Sequence, residues 1–286
     1  MPLYKFVKES EKENHSVLQS CIEGNIMFSR IPDLNDPSEM FTSVDDDEME
    51  KSLNRILDEG CFDNELVNLQ KHINLMSKIF PENEAAYHQS AMNLSLLKVF
   101  PREIIISLIR QLPTLLQKTN DLIQKRIGIF CVSETFDSYP MWSHYADQAR
   151  GFVVEYVGLE QKFEGDATGV FDVFKPINYC DKCRSKVSFS PSSLNELFFS
   201  KLKDWEYEHE IRLVKLLADC RTEKTENHTR YFAKEKYPEK ISRIIVGWNN
   251  SPVQLEEIRN CVKQYCSISV VQAVPNGDHI QIKQFT

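Results

Sequence analysis

The stretch Lys203-Asp204-Trp205-Glu206-Tyr207-Glu208-His209-Glu210-Ile211-Arg212-Leu213-Val214 constrains the fold more than any other part of the chain. It leads from a helix-like end into a strand-like apolar run, yet places a charge at every second position. From Tyr207 a period of two sets Glu208, Glu210 and Arg212 on one face and His209, Ile211 and Leu213 on the other. A strand among strands buries at least one face, so the charged face must meet water, an ion-pair partner or a ligand. Two readings stay open: a solvent-facing Glu-Arg ladder, since charged side chains are mostly exposed, and a functional cluster of carboxylates.

The chain of 286 residues is long enough to bury a substantial core, as one large domain or one domain with an insertion, and its 42% apolar and 27% charged residues are those of a globular protein. With 34 Lys and Arg against 42 Asp and Glu, the net charge of -8 argues against general affinity for a nucleic-acid backbone, though a local basic groove stays compatible. No run approaches the roughly eighteen apolar residues of a membrane span, and the start Met-Pro-Leu-Tyr-Lys-Phe lacks a signal-peptide layout, so a cytoplasmic protein with no membrane partner is expected. The eight cysteines form no small-domain disulfide framework and read as buried thiols. Cys180-Asp181-Lys182-Cys183 has the gap of a zinc knuckle or redox pair, but no second ligand pair stands at a usual spacing, so no metal is assigned.

In chain order, Leu3 to Val7 predicts a short strand, Glu11 to Ile22 a helix stopped at Gly24, and Asn25 to Ser29 a second strand. The loop Ile31 to Glu39 carries Pro32 and Pro37 and reads either as ordinary turn chemistry or as a presenter of Ser29, Asn35, Asp36 or Glu39 to a ligand. Residues 45–125 have helical spacing throughout, predicting an inserted helical subdomain within a single domain 1–286; His72 and His88 there read as surface or capping residues. Ile127 to Ser133 is a nearly continuous apolar run, as in a buried strand.

Ser138 and Pro140 open a short helix, Met141 to Asp147, before the strand Phe152 to Tyr156. Met141 and Tyr145 share a face of that helix, with Trp142 close beside; His144 falls off the apolar stripe, either as a satisfied structural residue or as a ligand contact. Val170 to Tyr179 reads as a strand, and Leu194 to Trp205 as a helix leading into the acidic stretch. Strands are expected at Ile241 to Val246, Ser267 to Ala273 and His279 to Phe285, with a helix from Pro252 to Tyr265 and a hairpin turn at Pro275 to Asp278. No glycine motif for dinucleotides or phosphate loops occurs.

Three motifs, Phe28-Ser29 with Pro32-Asp33-Leu34-Asn35-Asp36-Pro37 and Glu39, Met141 to Ala146 with Gly151-Phe152, and Asp204 to Arg212, together resemble a widespread bacterial domain family of unknown function. More remotely, Leu3 to Phe6, the strand ending in Ser29, and Glu210 entering an apolar strand are similar to the layout of the DNA-modifying toxin branch of ADP-ribosyltransferases. The pattern of strands and helices predicts an α+β fold with a twisted mixed or antiparallel sheet of about seven or eight strands, and the second resemblance implies nicotinamide dinucleotide (NAD) as substrate and a nucleic-acid or protein acceptor in bacterial antiviral defence or as a toxin. That resemblance gives Ser29 the support of the nicotinamide ribose, Glu210 the late acid that stabilises the transition state, and Glu208 the orientation of the nucleophile. Tyr4 or Lys5 stands where that superfamily has a His or Arg. Asn35, Asp36, His144, Tyr145 and Arg212 complete the expected dinucleotide contacts.

The chemistry is coherent with those residues, because breaking the nicotinamide-ribose bond generates an oxocarbenium-like sugar whose charge a fixed carboxylate stabilises. Two buried carboxylates would raise each other's proton affinity, which calls for a cation such as Arg212 nearby. Two alternatives remain: a non-catalytic module binding a protein partner, and a metal-dependent nuclease or other hydrolase in which Glu208, Glu210 and a carboxylate of the Asp36 loop converge on one ion.

Overall fold

Eleven strands join in one mixed sheet: β1 (Pro2–Val7), β2 (Met27–Arg30), β3 (Ile127–Ser133), β4 (Phe152–Val157), β5 (Phe174–Pro176), β6 (Glu210–Leu216), β7 (Arg221–Lys224), β8 (Thr229–Phe232), β9 (Ile241–Val246), β10 (Ser269–Asn276) and β11 (His279–Gln284). The computed structural model describes residues 1–8, 16–36, 42–43, 77–83, 123–181, 185–186, 192–224, 228–265 and 267–284. The sheet order is β7-β8-β2-β3-β1-β4-β9-β10-β11, with β6 on β3 and β5 on β6. β9 and β10 run parallel, whereas β1 is antiparallel to both β3 and β4, and β10 to β11. With helices α1 (Ser16–Ile22), α2 (Tyr139–Tyr145), α3 (Ser192–Phe199) and α4 (Pro252–Val262), the chain is α+β.

The period of two sorts the core into two layers, one on each face of the sheet. Leu3, Phe130, Val132, Phe152, Val154, Tyr156, Ile244 and Val246 pack on one side with Leu18 and Ile22 of α1 and Ile258 and Val262 of α4. Tyr4, Phe6, Val153, Ile245, Val271 and Ala273 pack on the other against Met141 and Trp142 of α2. Burial of so many branched and aromatic side chains, at about 1.5–3 kcal/mol each, is what holds the sheet. α4 begins at a capping box, Ser251 Oγ accepting from Gln254 N at 3.2 Å and Gln254 Oε1 from Ser251 N at 2.9 Å, with Pro252 in the first turn.

By compactness the chain divides into two units: Met1–Ser29, Gly128–Tyr179 and Leu202–Thr286 form the first, Arg30–Ile127 and Cys180–Lys201 the second. The helices expected over 45–125 lie outside the described residues, apart from 77–83 and 123–125, as do His72, His88 and Glu39. Within the second unit Arg126 pairs with Glu82, lies 4.6 Å over the Phe80 ring, and donates to the Ile79 carbonyl at 3.2 Å. Thr42–Ser43 runs parallel to Ser185–Lys186 in the same unit. Among the described residues no helix is long and apolar enough to cross a membrane.

The structure departs from the sequence expectations at several elements. Among the described residues the sheet has eleven strands rather than seven or eight, Arg221–Lys224 and Thr229–Phe232 joining it without having been expected as strands. The stretch expected as one strand from Val170 to Tyr179 is split, since Phe174–Pro176 and Asn178–Cys180 are separate segments and Asp172 takes a left-handed φ of 55°. The helix expected to reach Trp205 stops at Phe199 and gives way to a strand at Ser200–Leu202, then to a 3-10 helix at Lys203–Glu208. Glu208 therefore ends that tight helix and is not a strand residue; β6 begins at Glu210.

Candidate functional site

Between Glu208 and Glu210 the backbone turns through His209, whose φ of 43° and ψ of 49° are left-handed. Such a residue ends the 3-10 helix and breaks the period of two, so Glu208 does not share the strand face of Glu210 and Arg212. The turn is pinned by β3: Ser133 Oγ donates to the Glu208 carbonyl at 2.7 Å, and Glu134 N donates to the His209 carbonyl at 3.0 Å. Tyr179 adds a third contact, its hydroxyl accepting from Glu210 N at 2.8 Å.

The three charged residues expected on one face, Glu208, Glu210 and Arg212, are all buried, at 2%, 5% and 1% exposed, which overturns the solvent-facing ladder. Ile211 and Leu213 belong to the core layer containing Phe130, so alternation puts Glu210 and Arg212 on the opposite face. There Arg212 grips Glu210 with a fork, Nε to Oε1 at 2.6 Å and Nη2 to Oε2 at 3.0 Å. Two-point, charge-assisted bonding of this kind is the compensation that a buried carboxylate needs.

Glu208 has a different partner. Tyr145, the last residue of α2, donates its hydroxyl to Glu208 Oε1 at 2.5 Å. One residue earlier on each element, exposed His144 meets the Tyr207 hydroxyl through Nδ1 at 3.0 Å. Ser138 Oγ reaches the Tyr207 carbonyl at 3.3 Å. Rings crowd this corner: His144 lies edge-on to Tyr145 and Tyr207, with centroids 6.3 and 5.9 Å apart, and Trp205 stands 6.1 Å from Tyr207. Two motifs separated by about sixty residues thus meet as adjacent pairs, Tyr145 with Glu208 and His144 with Tyr207 (63 residues apart in each case).

Just beyond Tyr145 the backbone is strained. Asp147, Gln148 and Ala149 have φ of 48°, 54° and 60°, three consecutive non-glycine residues in the left-handed region. The turn is clamped by Ala149 N to the Trp142 carbonyl at 3.1 Å and Gly151 N to the Ala146 carbonyl at 2.8 Å. Asn249 grips it from the neighbouring loop, its backbone N donating to the Ala149 carbonyl at 3.0 Å and Nδ2 to the Gln148 carbonyl at 2.6 Å. Gly247 must be glycine for this approach, since a Cβ there would fall 2.1 Å from the Ala149 carbonyl oxygen.

The other expected site residues lie elsewhere. Ser29 is half-buried on β2, and among the described residues no hydrogen bond joins it to Glu208 or Glu210. Lys5 donates to the Cys131 carbonyl at 2.9 Å and sits 5.2 Å over the Phe130 ring, on the core layer away from Tyr4. Asn35, exposed, and Asp36, buried, belong to the second unit. Among the described residues no three His, Cys, Asp or Glu side chains could hold a metal ion, so the convergence of acids required by the metal-hydrolase alternative is not found there. Cys180 is disulfide-bonded, with its partner outside the described residues, which removes its thiolate from zinc ligation.

A second buried acid escaped the sequence reading. Glu155 on β4 is 3% exposed and holds Arg243 through Nε at 3.0 Å and Nη2 at 2.5 Å, the Ser242 hydroxyl, and Tyr4 across the β1-β4 register. Burial first, then the Glu155 charge, pushes the Tyr4 phenol above its ordinary value. Its signal was legible: a single Glu inside the apolar run Phe152-Val153-Val154-Glu155-Tyr156. Ser133 and Tyr207 were also missed; nothing local marks a terminal serine or one aromatic among several. The chain matches no protein-family model, no curated protein and no solved structure.

Proposed function

We propose that this chain is an ADP-ribosyltransferase-like enzyme that takes ADP-ribose from nicotinamide dinucleotide and passes it to a protein or nucleic-acid acceptor, in bacterial defence or as a toxin. The observation that supports the reading is the burial of two carboxylates on either side of one left-handed residue, Glu210 held by Arg212 and Glu208 held by Tyr145. Buried acids cost several kcal/mol unless paired, and such arrangements gather at functional sites more often than elsewhere. In this reading Glu210, fixed as an anion by the guanidinium fork, stabilises the oxocarbenium-like sugar that forms as the nicotinamide leaves. Glu208 faces the acceptor and takes its proton.

The deciding experiment transfers label from adenylate-labelled nicotinamide dinucleotide to macromolecules in a cell extract, with wild type, Glu210→Gln and Glu208→Gln compared. Label with wild type that is lost with Glu210→Gln supports the reading; no label with wild type at any acceptor overturns it. The Arg212 fork also favours a second reading, a non-catalytic module in which the pair is purely structural, because both Glu210 oxygens are occupied. Under that reading no variant changes label, and Glu210→Gln changes only the melting temperature.

A further inference from the structure

We infer that Tyr145 is a positioning residue for Glu208, and that the strained turn following it exists to hold it in place; this rests on the transferase reading. The hydrogen bond between the two is fixed from both ends by contacts that serve neither side chain directly. On the acid side, Ser133 and Glu134 bind the carbonyls of Glu208 and His209. On the phenol side, α2 ends at Tyr145 and the chain enters the left-handed run Asp147 to Ala149, clamped by Asn249 and by the Trp142 and Ala146 carbonyls.

Left-handed backbone is unfavourable at each non-glycine residue, and three in succession survive only where surrounding contacts impose them. Glycines would relieve that cost, yet Asp, Gln and Ala stand there. Strain that begins two residues past a side chain that meets a buried acid marks a segment shaped by the placement of that side chain. Among the described contacts, Tyr145 from α2 meets the Glu208 carboxylate and Ser133 from the end of β3 meets its carbonyl, with Tyr207 and His144 forming the next contact outward.

The step it serves balances without another reagent. The bond between the ribose anomeric carbon and the nicotinamide nitrogen breaks with its electron pair going to nicotinamide. The acceptor oxygen or nitrogen bonds to the anomeric carbon, and its proton passes to Glu208 and then to water. Tyr145 aims the carboxylate oxygen that receives that proton, and a group displaced by about an ångström loses much of the rate.

The test measures kcat and KM for nicotinamide dinucleotide in the label-transfer assay, together with melting temperature, for wild type, Tyr145→Phe and Asn249→Ala. Tyr145→Phe keeps the ring and removes one hydrogen bond to a charged group; the expected result is a fall in kcat of about 10- to 100-fold with KM within error of wild type and a protein still fully folded at the assay temperature. Asn249→Ala, which loosens the turn without touching either side chain, is expected to lower kcat in the same sense by a smaller factor. An active wild type with unchanged kcat in Tyr145→Phe overturns the positioning role and leaves the transferase reading standing. A fall in melting temperature that accounts for the lost activity makes Tyr145 structural, which also overturns it. Absence of transfer by wild type removes the transferase reading and this inference with it.

Discussion

Replacing Arg212 with methionine tests whether the fork onto Glu210 is the compensation that keeps an acid buried. The substitution retains an unbranched apolar side chain of similar reach and removes the charge. Glu210, 5% exposed, then loses its guanidinium fork, and removing one partner of a buried ion pair costs about 3–5 kcal/mol. At about 1.4 kcal/mol per factor of ten this is a loss of a few hundredfold or more in the folding equilibrium. Urea unfolding of wild type, Arg212→Met, Glu210→Leu and the double variant at pH 7 closes the cycle. The double variant is expected to recover most of the loss, because two well-packed apolar residues remove both desolvation costs together.

A single variant within about 1 kcal/mol of wild type, or a double variant carrying the sum of both single losses, would refute the reasoning.

Two further perturbations follow from particular contacts. Gly247→Ala drives a Cβ to 2.1 Å from the Ala149 carbonyl oxygen, backbone that cannot swing aside, so a loss of roughly 3 kcal/mol or more is expected in urea unfolding, against about 1–2 kcal/mol for Gly169→Ala, which meets no clash and carries only the strain of its left-handed φ of 65°. Tyr237 is raised from 10.0 to about 12 by burial and the Glu235 charge; its neutral phenol favours the fold below pH 10, and that contribution drains away as pH rises from 10 to about 12. Tyr237→Phe should flatten the alkaline limb of the stability profile, and an unchanged limb would show that other groups set it.

Most strands were legible because their signals are local: alternation at Leu3 to Val7, a continuous apolar run at Ile127 to Ser133, and turn residues before the closing hairpin. The place of Glu208 was not, although its sequence alternates as well as any strand. Its conformation is decided by Ser133, 75 residues away, and by a left-handed His209, neither of which leaves a trace in the spacing. The partnership of Arg212 with Glu210 was foreseeable from the need to compensate buried acids, whereas the meeting of Tyr145 with Glu208 depends on where α2 docks. Ser29 and Lys5 show the converse, residues singled out by their order along the chain that the described contacts leave apart from the acids.

The position of β1 sets a timetable for synthesis. It lies between β3 and β4, and Lys5 of β1 binds the carbonyl of Cys131, 126 residues further along. A ribosome adding about 5–20 residues per second therefore leaves this first apolar strand without either neighbour for many seconds, while the whole intervening stretch emerges. The middle of the sheet closes late and all at once, which gives the chain a high contact order and slow folding. Throughout that interval Leu3, Tyr4 and Phe6, all buried once folded, present an unmatched edge, the kind of exposed apolar strand from which aggregation starts under overexpression.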